Sequence, residues 1–220
     1  MNILKLIKLP DLVTIVNALL GFVALLMMIR GEIRSAAVLI LVAALADGLD
    51  GVLARKIEHG GFGVNLDSFA DLISFGIAPA MAGYMLISEI NPYIASGLAA
   101  AYLVCGILRL ARFNISAKRK EFIGLPITAS GICIALLIIT RADPLILACS
   151  YPILSALMVS AVSYPKIQGR KILVSIGIIF IFIIVIYCVQ RIHLANLILL
   201  MMITCYIISP LLWRVKYAIR

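Results

Sequence analysis

The sequence predicts an all-α integral membrane protein of about eight transmembrane helices with both termini on the cytoplasmic side. Three observations carry that expectation. The chain is 64% hydrophobic and only 13% charged, with a mean hydropathy of +1.17, which leaves too little polar side chain to cover a water-soluble domain of 220 residues. Its apolar residues come in continuous runs of about 20, the length a helix needs to cross a hydrocarbon layer of about 30 Å, and they do not alternate as the strands of a barrel would. Fifteen of the nineteen Lys and Arg residues fall on one side of such a layer, the other four being Arg30, Arg34, Arg141 and Arg191. That bias marks the cytoplasmic face.

The first run covers about 12–29. Lys5 and Lys8 precede it as they would a secretory leader, but it is long enough to span, and "MMIRGEIRS" after it has no small-residue cleavage pattern, so it reads as a retained first helix. Further spans are expected at about 33–55, 66–88, 90–112, 122–140, 144–163, 172–190 and 192–213. The longest connection is "NISAKRKEF" (114–122), and there is no internal repeat or linker, so residues 1–220 read as a single polytopic membrane domain. Cys105, Cys133, Cys149, Cys188 and Cys205 are odd in number, scattered through the spans and form no CxxC pair. Lipid-buried packing accounts for them, with no disulfide framework. The net charge of +9 reads as topology and attraction to anionic lipid. No basic soluble domain is available for nucleic acid.

Against this apolar background stands "DGLDGVLARKIEHGGFGVNLDSFAD" (47–71), which carries four aspartates. Asp47, Asp50 and Ala54 are offset by zero, three and seven residues, one face of a helix; Asp67 and Asp71, offset by four, share a face of the next. With a turn around "HGGFG", the helices at about 33–56 and 65–88 form an antiparallel pair whose acidic faces meet near the cytoplasmic end of the membrane. Arg55 lies about 12 Å along the axis from Asp47 and marks the interface below. Burying four carboxylates without partners costs several kcal/mol each, so a cation is required. An oxygen-only donor set suits magnesium, manganese or calcium. Zinc fits less well, since no Cys or His completes a set and His59 reads as a solvated loop residue.

Gly48, Gly51, Ala54 and Gly63 leave the acidic face without bulk, which serves either close helix packing or approach of a ligand to the backbone. Divalent ions at the headgroup level suit a pyrophosphate, and one carboxylate could accept a proton from an attacking hydroxyl. The residues by themselves therefore reach metal-dependent phosphoryl-type transfer on a lipid. A membrane cation transporter is the competing reading, because intramembrane carboxylates also mark ion paths, although the acids cluster at one end and no inverted repeat is visible.

Asp47, Asp50, Gly51, Ala54 and Arg55, followed by Gly63, Asp67 and Asp71, together resemble the signature DxxDGxxAR…GxxxDxxxD of the CDP-alcohol phosphatidyltransferase family. Seven residues separate Arg55 from Gly63, one fewer than the usual spacing. The resemblance implies two divalent cations held by Asp47, Asp50, Asp67 and Asp71, with Asp71 also the general base. It implies CDP contacts at Gly51, Ala54 and Arg55, with Pro10 and Thr14 of "LPDLVTIVN" as further candidates for the nucleotide pocket. "LDSFADLISFGIAPA" (66–80), "CGILRLARFN" (105–114) and "FIGLPITASG" (122–131) resemble the phosphatidylserine synthase branch. That branch implies transfer of the phosphatidyl or ether-lipid equivalent group from a CDP-linked lipid to L-serine with release of CMP, in a homodimer. Arg109 and Arg112, offset by three, could bind the serine carboxylate. They would equally suit the phosphate of glycerol phosphate or inositol phosphate, and for Arg112 positive-inside anchoring weighs as much. Ser68 and Asn114 could contact serine or serve local capping.

Overall fold

A computed structural model describes residues 6–54, 61–116, 122–164 and 193–218. It is all-helical apart from one two-residue strand pair. The helices are α1 (Leu9–Ile29), α2 (Ile33–Ala54), α3 (Gly61–Asp71), α4 (Ala78–Ile87), α5 (Pro92–Ser116), α6 (Ile127–Ile139), α7 (Pro144–Val159) and α8 (His193–Ala218). A π-helical segment, Leu72–Ile77, joins α3 to α4, so residues 61–87 run as one continuous helical rod.

The helices are built inside out relative to a water-soluble bundle. On α1 the buried face is Pro10, Asp11, Thr14, Asn17, Gly21, Ala24 and Met28, a stripe of small and polar side chains at helical spacing. Its outer face shows Leu12, Leu19, Phe22 and Ile29, each 50–74% exposed. Lipid rewards this arrangement: tails solvate large apolar side chains, and small residues let helices approach closely. At Gly21 of α1 the approach is close, since a Cβ there would sit 2.8 Å from the Ser74 Cα. The Ser74 hydroxyl, which has no exposed surface, donates to the Asn17 carbonyl at 2.8 Å.

The π segment has an identifiable cause in Pro79. Its ring nitrogen cannot donate to the Phe75 carbonyl four residues back, and the Ala78 N–H reaches five back to Ile73. The freed Phe75 carbonyl accepts from the Tyr102 hydroxyl at 3.0 Å, and the Pro79 carbonyl accepts from the Tyr151 hydroxyl at 2.6 Å. Tyr102 also lies 2.9 Å from the Ser130 hydroxyl. Side chains from α5, α6 and α7 thus hold the wide turn that follows Asp71. The turn changes the rotational register between α3 and α4.

Three described helical stretches are long and apolar enough to cross a membrane: Leu9–Ile29, Phe62–Ile87 and Pro92–Ile115. The fifth expected span, 122–140, is shorter than the sequence suggests. Residues 122–123 form a strand paired antiparallel with 163–164, Gly124 turns with φ 78°, and the helix begins only after Pro126. Likewise α7 ends at Val159 instead of 163. The expected span at 172–190 lies outside the described residues.

Candidate active site

The four signature aspartates reach one place from two helices. Asp47 and Asp50 project from α2, which packs along α1 on one side and α6 on the other. Asp67 and Asp71 project from α3, which also packs on α1. One carboxylate oxygen each from Asp47, Asp67 and Asp71 lies within 4.8 Å of the others. Two like charges at that separation repel by about 3 kcal/mol at an effective dielectric of about 20. Neighbouring polar groups must therefore hold the cluster.

Those neighbours come from three further helices. The Thr14 hydroxyl of α1 donates to Asp50 Oδ2 at 2.8 Å, with the Pro10 carbonyl a longer alternative at 3.3 Å. Thr128 of α6 donates to Asp47 Oδ2 at 3.2 Å. Arg109 of α5 is buried, with its guanidinium carbon 5.3 Å from the Phe113 ring centroid, and its charge interacts with Asp71 and Asp47. Asp50 is not in the close trio, although its charge is felt by Asp67. It is only 5% exposed and stands beside the trio, tied to α1 through Thr14.

The donor set fits hard divalent cations. All its ligand atoms are carboxylate oxygens, and Asp71 is 7% exposed with an Oδ1 that is buried and has no hydrogen-bond partner. A buried carboxylate oxygen without a partner is costly. A coordinated cation would remove that cost. The glycines on α2 favour one of the two sequence readings of this face: a Cβ on Gly48 or Gly51 would meet no described atom within 4 Å. Among the described residues they border open space, as a ligand cradle requires. Ala54 closes α2, while Arg55 and His59 lie outside the described residues.

The signature is also a family's signature, and a family model for CDP-alcohol phosphatidyltransferase matches residues 7–164. The chain belongs to the CDP-alcohol phosphatidyltransferase family. It is 39% identical over 173 residues to the archaetidylserine synthase of Methanothermobacter thermautotrophicus, covering 76% of this chain and 74% of that protein. It is 39% identical over 161 residues to the CDP-diacylglycerol–serine O-phosphatidyltransferase of Bacillus subtilis, covering 72% and 90%. The protein of that name from Methanocaldococcus jannaschii is 35% identical over 170 residues, covering 77% and 79%.

The CDP-alcohol phosphatidyltransferase match ends at 164, the second residue of the strand pair, and so contains every group described at the cluster. Of the two arginines expected at an acceptor site, the structure treats them differently. Arg112 donates from Nη1 to the carbonyls of Val159 (3.1 Å) and Ser160 (3.0 Å), and from Nη2 to those of Ile123 and Met158 (both 2.7 Å). It caps the C-terminal end of α7, whose last carbonyls lack helical partners and carry the negative end of the dipole. The four terminal N–H groups of Arg112 are thus engaged by backbone carbonyls of α7 and of the strand before α6. Ser68 donates to Asn114 Oδ1 at 3.0 Å, linking α3 to α5 beside the cluster.

Sequence reasoning missed three residues here. Thr128 has no spacing relation to Asp47, 81 residues away. Asp11 is 2% exposed, accepts from the Lys8 backbone N–H at 2.7 Å, and its charge reaches Asp50. Asn17 has no exposed surface and neither amide atom has a hydrogen-bond partner. Asp11 and Asn17 were detectable, since they lie on the Pro10/Thr14 face of a single helix.

Proposed function

We propose that this protein transfers the phosphatidyl group, or its ether-lipid equivalent, from a CDP-linked lipid to the hydroxyl of L-serine, releasing CMP, as a step of phospholipid biosynthesis. The observation that carries the chemistry is the convergence of Asp47, Asp67 and Asp71 within 4.8 Å beside Asp50. The names of its relatives supply the acceptor.

Asp47, Asp50, Asp67 and Asp71 would hold two divalent cations, magnesium or manganese, with calcium able to occupy the same oxygens. When bound, these ions supply neutralisation of the pyrophosphate and of the charge that develops as its bond breaks. Asp71 is also the base: a carboxylate oxygen not taken up by metal accepts the proton from the serine hydroxyl. The serine oxygen forms a bond to the lipid-side phosphorus while the bond from that phosphorus to the CMP oxygen breaks, and CMP leaves with the electron pair. Thr14 and Thr128 hold Asp50 and Asp47 in place. Gly51, with Ala54 and Arg55, receives the CDP moiety, bordered by Pro10 and Thr14 of α1.

Arg109 is the group we assign to the serine carboxylate. With Arg112 engaged in its backbone clamp, one buried guanidinium among the described residues stands at the cluster, which suits a singly charged carboxylate better than the doubly charged phosphate of glycerol phosphate or inositol phosphate. The single domain would be a multi-pass, homodimeric protein of the cell membrane, with about eight spans, both termini cytoplasmic and the aspartates at the cytoplasmic face. Its working partners would be CDP-linked lipid, serine and the surrounding membrane lipids.

The deciding experiment measures CMP release by purified protein with a CDP-linked lipid and manganese or magnesium, offering L-serine, glycerol 3-phosphate or inositol phosphate. Serine-dependent release is expected. Release with only a phosphorylated alcohol would overturn the acceptor, and cation flux in liposomes without CMP release would overturn the enzyme.

A further inference from the structure

At the end of the bundle opposite the aspartates, a cavity of about 500 Å³ opens between the α1–α2 turn, the end of α4 and the α6–α7 turn. Arg34 of α2 lines it and precedes Asp47 by thirteen residues on the same helix, which puts the two about 20 Å apart along the axis. This cavity is therefore separate from the catalytic cluster, toward the other surface of the membrane.

Its lining is divided by chemistry. Arg34 at the start of α2 and Arg141 in the α6–α7 turn, both exposed, contribute two guanidinium groups, while Leu86, Ile138 and Leu147 form an apolar wall. Glu32 also lines the cavity, leaving the three ionised groups with a net positive charge. Asp143, nearby in the chain, is turned to α7, whose Leu145 N–H donates to its Oδ1 at 2.8 Å.

A second observation singles out Arg141. Its φ is 56°, in the left-handed region, where the other described residues at positive φ are Gly31 and Gly124. An L side chain is disfavoured there and glycine is not. The turn holds an arginine at a position whose backbone favours glycine, which points to a use for the side chain. Arginine also runs against the charge rule on this side of the membrane, where basic residues are otherwise sparse.

We infer that Arg34 and Arg141 bind the phosphate of an anionic lipid headgroup, with the acyl chain laid along Leu86, Ile138 and Leu147. Two guanidinium forks from separate elements suit the oxygens of one phosphodiester, and binding would tie the start of α2 to the α6–α7 turn.

The test uses the full-length protein in detergent, titrated calorimetrically with dihexanoyl phosphatidylglycerol, with dihexanoylglycerol, which lacks the phosphate, and with inorganic phosphate. Saturable binding of the phosphatidylglycerol is expected, weakened about tenfold or more by the double variant Arg34→Gln, Arg141→Gln, as loss of charge-assisted bonds requires. Arg141→Lys should restore part of it. Arg141→Gly, which relaxes the backbone, should bind as weakly as Arg141→Gln while unfolding at no lower temperature. CMP release should be unchanged in all of these variants. Equal affinity in the wild type and the double variant would overturn the site, as would equal binding of the phosphate-free lipid. Arginine-dependent binding of inorganic phosphate at the affinity of the lipid would overturn the headgroup as its source.

Discussion

Thr14 on the first helix donates a hydrogen bond of 2.8 Å to Asp50 Oδ2 across 36 residues of sequence. The bond ties α1 to the aspartate cluster, and it fixes the direction in which a carboxylate we propose as a metal ligand presents its other oxygen. Thr14→Val keeps the shape and deletes the donor. Groups that orient metal ligands typically contribute about 10- to 100-fold to metal affinity, so the manganese concentration for half-maximal CMP release should rise by about that factor. Titration of activity against manganese checks it. An unchanged metal requirement would mean that the bond serves helix packing alone.

Thr128→Val should act in the same direction but more weakly, because its bond to Asp47 is longer at 3.2 Å. Distant independent changes add, whereas changes that act through one metal centre do not. The Thr14→Val, Thr128→Val double variant is therefore expected to depart from the product of the single effects. A double-mutant cycle on metal affinity reads this directly.

Removal of metal should abolish turnover, and it should also destabilise the fold. Three carboxylates within 4.8 Å repel one another, and a ligand bound only by the folded state stabilises it in proportion to its occupancy. Chelator should lower the unfolding temperature of wild-type protein, and magnesium or manganese should raise it again. Asp67→Asn, which removes one charge, should shrink that difference. Asp71→Asn should lower turnover by at least about 10²-fold through loss of the base while CDP-lipid binding stays measurable.

Arg112 and Arg109 should separate in opposite ways. Arg112→Ala leaves four backbone carbonyls without their donor and is expected to lose about 2 to 4 kcal/mol of stability. Arg112→Lys should not rescue it, since an ammonium cannot span carbonyls from two elements as the planar fork does. Serine KM in folded Arg112→Lys protein should stay near wild type. Arg109→Gln should raise serine KM by about tenfold or more, the scale of a charge-assisted contact. Steady-state kinetics with a thermal melt on each variant distinguishes the two roles.

How much was legible in the chain follows from the range of each force. The helix-borne pairs Asp47/Asp50 and Asp67/Asp71 could be placed on shared faces because helical periodicity acts over three or four residues. The buried stripe of α1 followed the same rule. Helix ends were less legible: 122–123 is apolar enough to join a span, yet its backbone pairs with 163–164, a partner chosen by proximity and not by neighbouring sequence.

The sequence by itself determined the membrane class, the helical rods, the charge bias and the identity of the four acids, because hydropathy and helix period are local properties. Tertiary structure decided that Thr14 and Thr128 brace Asp50 and Asp47, and that Tyr102 and Tyr151 serve the carbonyls around Pro79. It also decided that Arg112 belongs to α7 and Arg109 to the cluster. Two arginines three residues apart on one helix are equivalent by composition and spacing. Only the arrangement of the helices around them sets which carbonyls and carboxylates each can reach.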